Sequence, residues 1–294
     1  MKRTFIILLF LFALPFSAHA EKLKVVASFS ILGDMTRQVA GGNADIKTLV
    51  GPNGDAHVYE PTPADAVALQ NADLVIINGL GFEGWLGRLV SASGYKGPIV
   101  TATTGIPPLA FSGEGLTQDP HAWQSVANAK IYVANIRDAL IKADRMHASD
   151  YKANADRYLA QLDALDAWVK SEIAKIPVGK RKVITSHDAF HYFARDYGIE
   201  CIAPLGINTD SDVSAQRIAG LIDQIRSQSV KAVFMENITD ARLAQQLVTD
   251  GGAYFGGTLY SDALSESSGP AATYIAMFRH NVTQLVSGMM HNAL

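Results

Sequence analysis

Short β-branched runs alternate with helix-compatible stretches through the first half of the chain. Strands are predicted over Lys24–Ser28, Ile46–Val50, Leu74–Asn78 and Pro98–Thr101, with helices over Leu32–Ala40 and Pro63–Gln70 between them. A further helix is predicted over Asn128–Ala143. The second half repeats the alternation, with strands predicted over Lys182–Thr185, Glu200–Ala203, Lys231–Phe234 and Ala253–Gly256. Helices are predicted over Asp188–Tyr197, Ser214–Gln228, Asp240–Thr249 and Pro270–Met290. Alternation of this kind gives a mostly parallel sheet covered by helices on both faces, here twice over.

The longest periodic segment lies between the halves. Tyr151, Ala155, Tyr158, Leu162, Leu165, Val169 and Ile173 recur at steps of three and four and form one apolar stripe. Ser149 can cap this helix, and Pro177 with Gly179 stops it. Roughly 27 residues at the helical rise reach about 40 Å, enough to run from one lobe to another. An ordinary surface helix on a single domain is the other reading of the same stripe. The stretch from Ala102 to Pro120, with Pro107, Pro108, Gly113 and Gly115, reads as a long loop.

Residues 1–20 have the layout of a cleaved signal peptide: basic Lys2 and Arg3, an apolar core from Phe5 to Pro15, and Ala18-His19-Ala20 as the cleavage site. The expected divisions are a signal peptide over 1–20, an N-terminal lobe over 21–145, a linker helix over 146–178 and a C-terminal lobe over 179–294. Loss of Lys2 and Arg3 leaves 23 basic against 28 acidic residues, so the formal charge moves from −3 to −5. A mildly acidic chain without a basic cluster argues against nucleic acid or anionic lipid as partner. The single cysteine, Cys201, excludes an internal disulfide and a Cys-rich zinc site. It lies far from the cleavage site, so no lipid anchor is expected there. Nothing in the pattern demands more than a monomer.

The candidate chemistry lies in the loops. His57 follows the predicted strand ending at Val50, in a stretch whose Gly51, Pro52, Asn53 and Gly54 forbid a helix. One such imidazole proves nothing. Three more residues recur in comparable places, namely His121 after Asp119-Pro120, His187 after Thr185-Ser186 and Asp262 after Tyr260-Ser261. Three imidazoles and a carboxylate are a natural tetrahedral set for zinc, and the carboxyl ends of strands are where open α/β sheets bind ligands. The gaps are too long for spacing alone to identify a site.

The contexts are more specific. Val50-Gly51-Pro52 through His57 to Tyr59-Glu60-Pro61-Thr62-Pro63, Asn71-Ala72-Asp73-Leu74-Val75 with Asn78-Gly79-Leu80, and Glu83-Gly84-Trp85-Leu86 come first. Asp119-Pro120-His121-Ala122-Trp123, Ser186-His187-Asp188-Ala189-Phe190 with Tyr192-Phe193-Ala194, and Gly257-Thr258-Leu259-Tyr260-Ser261-Asp262-Ala263-Leu264 follow in order. Together these resemble the zinc- and manganese-binding solute-binding proteins of bacterial ABC importers, the cluster A-I or ZnuA/TroA-like family, across essentially the whole mature chain. The resemblance implies two similar α/β lobes joined by one long backbone helix, with His57, His121, His187 and Asp262 as metal ligands. It implies a periplasmic receptor, not an enzyme, that carries Zn(II) and hands it to a membrane permease, with a metallochaperone as a conceivable loader. Manganese, or both metals, is the alternative cargo; the three imidazoles point to zinc.

Two departures from the family pattern stand out. Phe111–Gln118 holds no histidine and one acid, Glu114, so no metal-scavenging loop is expected; and Gln124-Ser125-Val126 stands where the family more often shows Leu-Asp-Pro. His191 could chelate with His187 at helical spacing, although packing is the simpler role. Asp119 reads as turn chemistry before Pro120, and Trp85 and Trp123 as cleft-wall packing. Glu236, beyond the strand ending at Phe234, faces the same cleft end and could hydrogen-bond a ligating imidazole. Against a zinc hydrolase stand four protein ligands and the absence of a HExxH motif. A secreted adhesin or metal buffer without a permease is the remaining rival.

Overall fold

In a computed structural model of the chain, the residues described are 21–113, 116–204, 206–207, 209, 215–228, 230–239 and 241–292. The expected signal peptide lies outside them. The first half begins with β1 (Leu23–Phe29), α1 (Ser30–Ala40), β2 (Ala44–Val50) and α2 (Pro63–Gln70). It continues with β3 (Leu74–Ile77), α3 (Leu86–Ser93) and β4 (Ile99–Thr101). Helix α2 starts where its sequence directs: Pro63 opens it, and Thr62 and Asp65 close a reciprocal capping box. Its four strands pair in parallel in the order β2-β1-β3-β4.

The expected loop after β4 is partly structured. β5 (Ala110–Gly113) and β6 (Leu116–Gln118) pair antiparallel, Ala110 opposite Gln118 and Gly113 opposite Leu116. Runs this short, punctuated by glycine, carry little strand signal in the sequence. The pair delivers the chain to Asp119 and His121, after which α4 (Val126–Ala143) begins with Ser125 as its N-cap.

The long helix α5 occupies Ala148–Ala174, and all seven residues of the predicted stripe are buried. Ser149 does not cap it: the N-cap is His147, and Asp144 caps the 3-10 turn ahead of it through Met146 N–H. Helix α5 packs against α1 and α4 on one side and against the last helix of the chain on the other, so it links the two sheets.

The second half comprises β7 (Lys182–Ile184), α6 (His191–Tyr197), β8 (Glu200–Ile202) and α7 (Ala215–Gln228). It then adds β9 (Ala232–Glu236), α8 (Ala241–Gly251), β10 (Tyr254–Leu259) and α9 (Tyr274–Met289). Its parallel sheet runs β10-β9-β7-β8. The fold is therefore two parallel-sheet α/β lobes flanked by helices and joined by one long helix, as expected. Cys201 is partly buried against the main core, and burial pushes its thiol up to about 12. Among the described residues no helix is long and apolar enough to cross a membrane.

Candidate metal centre

Each of the four predicted residues sits in a loop whose backbone is pinned next to it. The loop after β2 turns at Asn53, which adopts the left-handed region at φ 54°, a conformation asparagine tolerates. From there its N–H donates to Leu264 O of the other half at 2.9 Å. The indole N–H of Trp85 donates to Ala56 O, just before His57, at 2.8 Å. Asn78 Nδ2 donates to Pro120 O, just before His121, at 2.9 Å. Ser261 O, just before Asp262, accepts from Trp123 Nε1 at 2.9 Å and Gln124 Nε2 at 2.6 Å. Glu236 Oε1 accepts the N–H groups of Ser186 and His187 at 2.8 and 2.9 Å. Hydrogen bonds on adjacent carbonyls and amides fix where a side chain departs from its loop, which a site made of irregular backbone requires.

Those loops bring the four side chains together. One donor atom from each of His57, His121, His187 and Asp262 lies within 4.8 Å of all the others. Asp262 Oδ2 is 3.1 Å from both His57 Nε2 and His187 Nε2. His57 Nε2 and His121 Nε2 are 3.2 Å apart, and His121 Nε2 is 3.7 Å from Asp262 Oδ1. A tetrahedron with metal–ligand bonds of about 2.0–2.1 Å has edges of about 3.4 Å, close to the 3.1–3.2 Å that separates His57 Nε2 from His121 Nε2 and Asp262 Oδ2 from His57 and His187. His121, His187 and Asp262 are fully buried, and the His57 side chain is 3% exposed.

Carboxylates lie behind two of the rings. Asp119 Oδ1 lies 2.8 Å from His121 Nδ1, and Glu236 Oε2 lies 2.5 Å from His187 Nδ1. Glu236 Oε2 faces His187 Nδ1 as a close charge, while Asp119 accepts a hydrogen bond from the Nδ1–H of His121, which leaves the Nε2 lone pair of that ring, when neutral, aimed into the cage. There the lone pairs face one another and the Asp262 carboxylate, whose Oδ1 is buried without a hydrogen-bond partner. Lone pairs this close repel in a low-dielectric interior unless a cation lies between them. The donor set therefore fits a divalent metal. His57 is held differently, by its N–H on Asp55 Oδ1 at 2.8 Å and by its ring edge-on to Phe82 at 4.8 Å.

The electrostatics carry the same message. Burial alone would lower His121, but the charges of Asp262 and Asp119 outweigh it and raise the ring to about 9. Burial likewise opposes the charge on His187, yet Glu236 and Asp262 hold it well above its ordinary value. Asp262 goes the other way: despite burial, His187 and His121 keep it well below the usual carboxylate range. The charges that would favour a cation in the cage also favour protons on its rings when no cation is present.

The sequence anticipated the four loops and left Glu236 open. Three neighbours make contacts that the sequence did not show. Asp119 is the acceptor for His121, not only a turn residue. His191 begins α6 rather than extending a helix from His187, and its Nδ1 turns to Asp119 Oδ2 at 3.0 Å. Gln124, the departure after Trp123, ties the two loops together, its N–H donating to His121 O at 3.0 Å and its side chain to Ser261 O at 2.6 Å. Polar residues flanking a ligand were the available signal, but which carbonyl each one reaches depends on tertiary placement.

A family model described as zinc-uptake complex component A, periplasmic (ZnuA), matches residues 25–288. The chain belongs to this family. Its members are metal-binding receptors of ABC importers rather than enzymes. Among curated ZnuA-family relatives, the iron-binding protein YfeA of Yersinia pestis is 37% identical over 277 residues, covering 92% of this chain and 88% of that protein. The manganese-binding lipoprotein MntA of Halalkalibacterium halodurans is 36% identical over 274 residues, covering 93% and 90%. Among solved structures, the Mn-bound periplasmic metal-binding protein of Candidatus Liberibacter asiaticus has a TM-score of 0.82 at 35% identity, covering 92% of this chain and 100% of that one. The periplasmic zinc-binding protein TroA of Treponema pallidum has a TM-score of 0.87 at 30% identity, covering 92% and 99%.

Proposed function

We propose that this chain captures Zn(II) in the cleft between its lobes, on His57, His121, His187 and Asp262, and delivers it to the permease of an ABC importer. The observation that carries the reading is the cage itself: three imidazoles and one carboxylate, buried and spaced as tetrahedral edges. Zinc suits that set by geometry and by its nitrogen-rich donors. Membership of a receptor family supports the permease as partner, and the periplasm as location after removal of residues 1–20. The working units are a lobe over 21–145, a linker helix over 146–178 and a lobe over 179–294.

A second reading, manganese or both metals, has its own support. Asp262 Oδ1 is free of hydrogen bonds and 3.7 Å from His121 Nε2. A bidentate carboxylate would raise the coordination number and add oxygen, which suits manganese better. The relatives named for iron and manganese agree with this reading.

Competition calorimetry on metal-stripped mature protein separates the two. Zinc bound once per chain at nanomolar strength, about −12 kcal/mol, with manganese orders of magnitude weaker, is the expected result. Comparable manganese affinity would make the cargo manganese or both. Absence of binding by either metal would overturn the receptor reading.

A further inference from the structure

Among the described residues, His191 touches the surroundings of the cage without entering it. Its side chain is 36% exposed and lines a surface groove of about 450 Å³ with Leu109, Ala110, Phe111 and Asp188. Its Nδ1 nevertheless points inward, to the carboxylate of Asp119, which is 1% exposed. That carboxylate has a divided task. Oδ1 accepts from the N–H of His121 at 2.9 Å and from its Nδ1 at 2.8 Å, while Oδ2 accepts from His191 at 3.0 Å. The next residue of α6 holds the same acid by its backbone: Tyr192 O–H donates to Asp119 O at 2.8 Å. Asp119 belongs to the segment ending the first half, and His191 and Tyr192 to the second. The acid that orients His121 is thus itself oriented from the opposite lobe.

We propose that His191 is a positioning residue for metal binding: by holding Asp119 Oδ2 across the lobe boundary, it fixes the carboxylate that fixes His121. The inference rests on the reading of His121 as a ligand. Without a donor on Oδ2, the Asp119 carboxylate is free to rotate toward the groove and its solvent, and His121 loses the acceptor that keeps Nε2 turned to the cage. Groups oriented through a carboxylate in this way typically change metal affinity 10–100-fold when the carboxylate is altered. A residue one bond further out has a smaller effect, about fivefold.

The test is zinc affinity, measured against a chromophoric chelator, for His191→Ala, His191→Asn, Asp119→Asn and the double variant His191→Ala/Asp119→Asn. Asparagine keeps a donor near the place of Nδ1. Expected are about fivefold weakening in His191→Ala, recovery to within about twofold in His191→Asn, and about 10–100-fold weakening in Asp119→Asn. His191→Ala should add nothing further in the Asp119→Asn background, because the two act through one route. Unchanged affinity in His191→Ala, or effects that simply add, would overturn the proposal. Imidazole NMR of the metal-free protein supplies an independent reading. The His121 Nδ1 proton should be sharp and protected in the wild type and in His191→Asn, and exchange-broadened in His191→Ala; an identical resonance in all three overturns the proposal as well. Failure of the wild type to bind any metal would count against the receptor reading, and the NMR comparison would still decide the role of His191.

Discussion

The two halves of the molecule are built on one plan. Counted from its own first strand, each sheet runs second, first, third, fourth, and in each a glutamate is buried where the first and third strands lie side by side. In the first half it is Glu83, which accepts from Ser28 Oγ at 2.7 Å and from the N–H groups of Asn78 and Gly79 at 2.6 and 3.1 Å. In the second it is Glu236, which accepts the N–H groups of Ser186 and His187 and also faces the His187 ring. The residue after the serine differs. It is Phe29 in the first half, packed on Phe82 and Trp123, and His187 in the second. A carboxylate at this crossing therefore belongs to the architecture, where connections diverge and backbone amides would otherwise go unpaired. It reaches the candidate metal centre only where an imidazole follows the serine, as His187 does.

The largest effects should follow loss of the side chains that form the cage. Asp262→Ala and His187→Ala are each expected to weaken zinc binding by more than about 100-fold, beyond the range for residues that merely orient a ligand. Titration against a competing chelator reads this directly. Losses no larger than that of His191→Ala would break the assignment of the site.

A sharper use of the comparison exchanges the two glutamates for glutamine. Glu236→Gln places an amide N–H opposite His187 Nδ1, so the ring must reverse its tautomer and turn a proton toward the cage. About 10–100-fold weaker zinc binding is expected. Glu83→Gln touches only backbone and Ser28. It should cost about 1–3 kcal/mol of stability by pairing donor with donor at one buried amide, and leave affinity within about threefold. Equal losses of affinity in the two variants would show that both carboxylates act on the fold alone.

How much of this the sequence contained depends on the range of the interaction. The strands and the α5 stripe were legible because period and burial are local properties: Tyr151 to Ile173 lie on one face whatever surrounds them. The candidate ligands were legible through the motifs around them. What the sequence did not carry was the set of contacts formed between segments far apart in the chain. Nothing near Trp85 says that its indole holds Ala56 O, and nothing near His191 says that it meets Asp119, 72 residues earlier. The short pair β5 and β6 escaped for a related reason, since four- and three-residue strands are stabilised by their partner more than by their own composition. Proton competition is set at the same long range. An isolated imidazole places it near pH 6.5, whereas carboxylates around a buried ring extend it upward, and only the fold assembles those carboxylates.

That displacement supplies the subtlest test, on the metal-free protein. His121 has a folded-state pKa of about 9, above the value of the unfolded chain. Its contribution to stability is therefore complete below about pH 6.5 and is lost as pH rises through about 9. His187 is shifted in the same direction. The metal-free protein should lose melting temperature across that window, by about 2–4 °C for each kcal/mol involved in a domain pair of this size. Zinc affinity should climb over the same range, because each imidazole must shed its proton before its lone pair can bind. Scanning calorimetry from pH 6 to 9 checks the first statement. Asp262→Asn should flatten the slope, since it removes the charge that both rings share, whereas Glu83→Gln should leave it intact. A metal-free melting temperature that stays level in the wild type would mean that protons do not fill the cage, and the case that the cage demands a cation would then rest on its geometry alone.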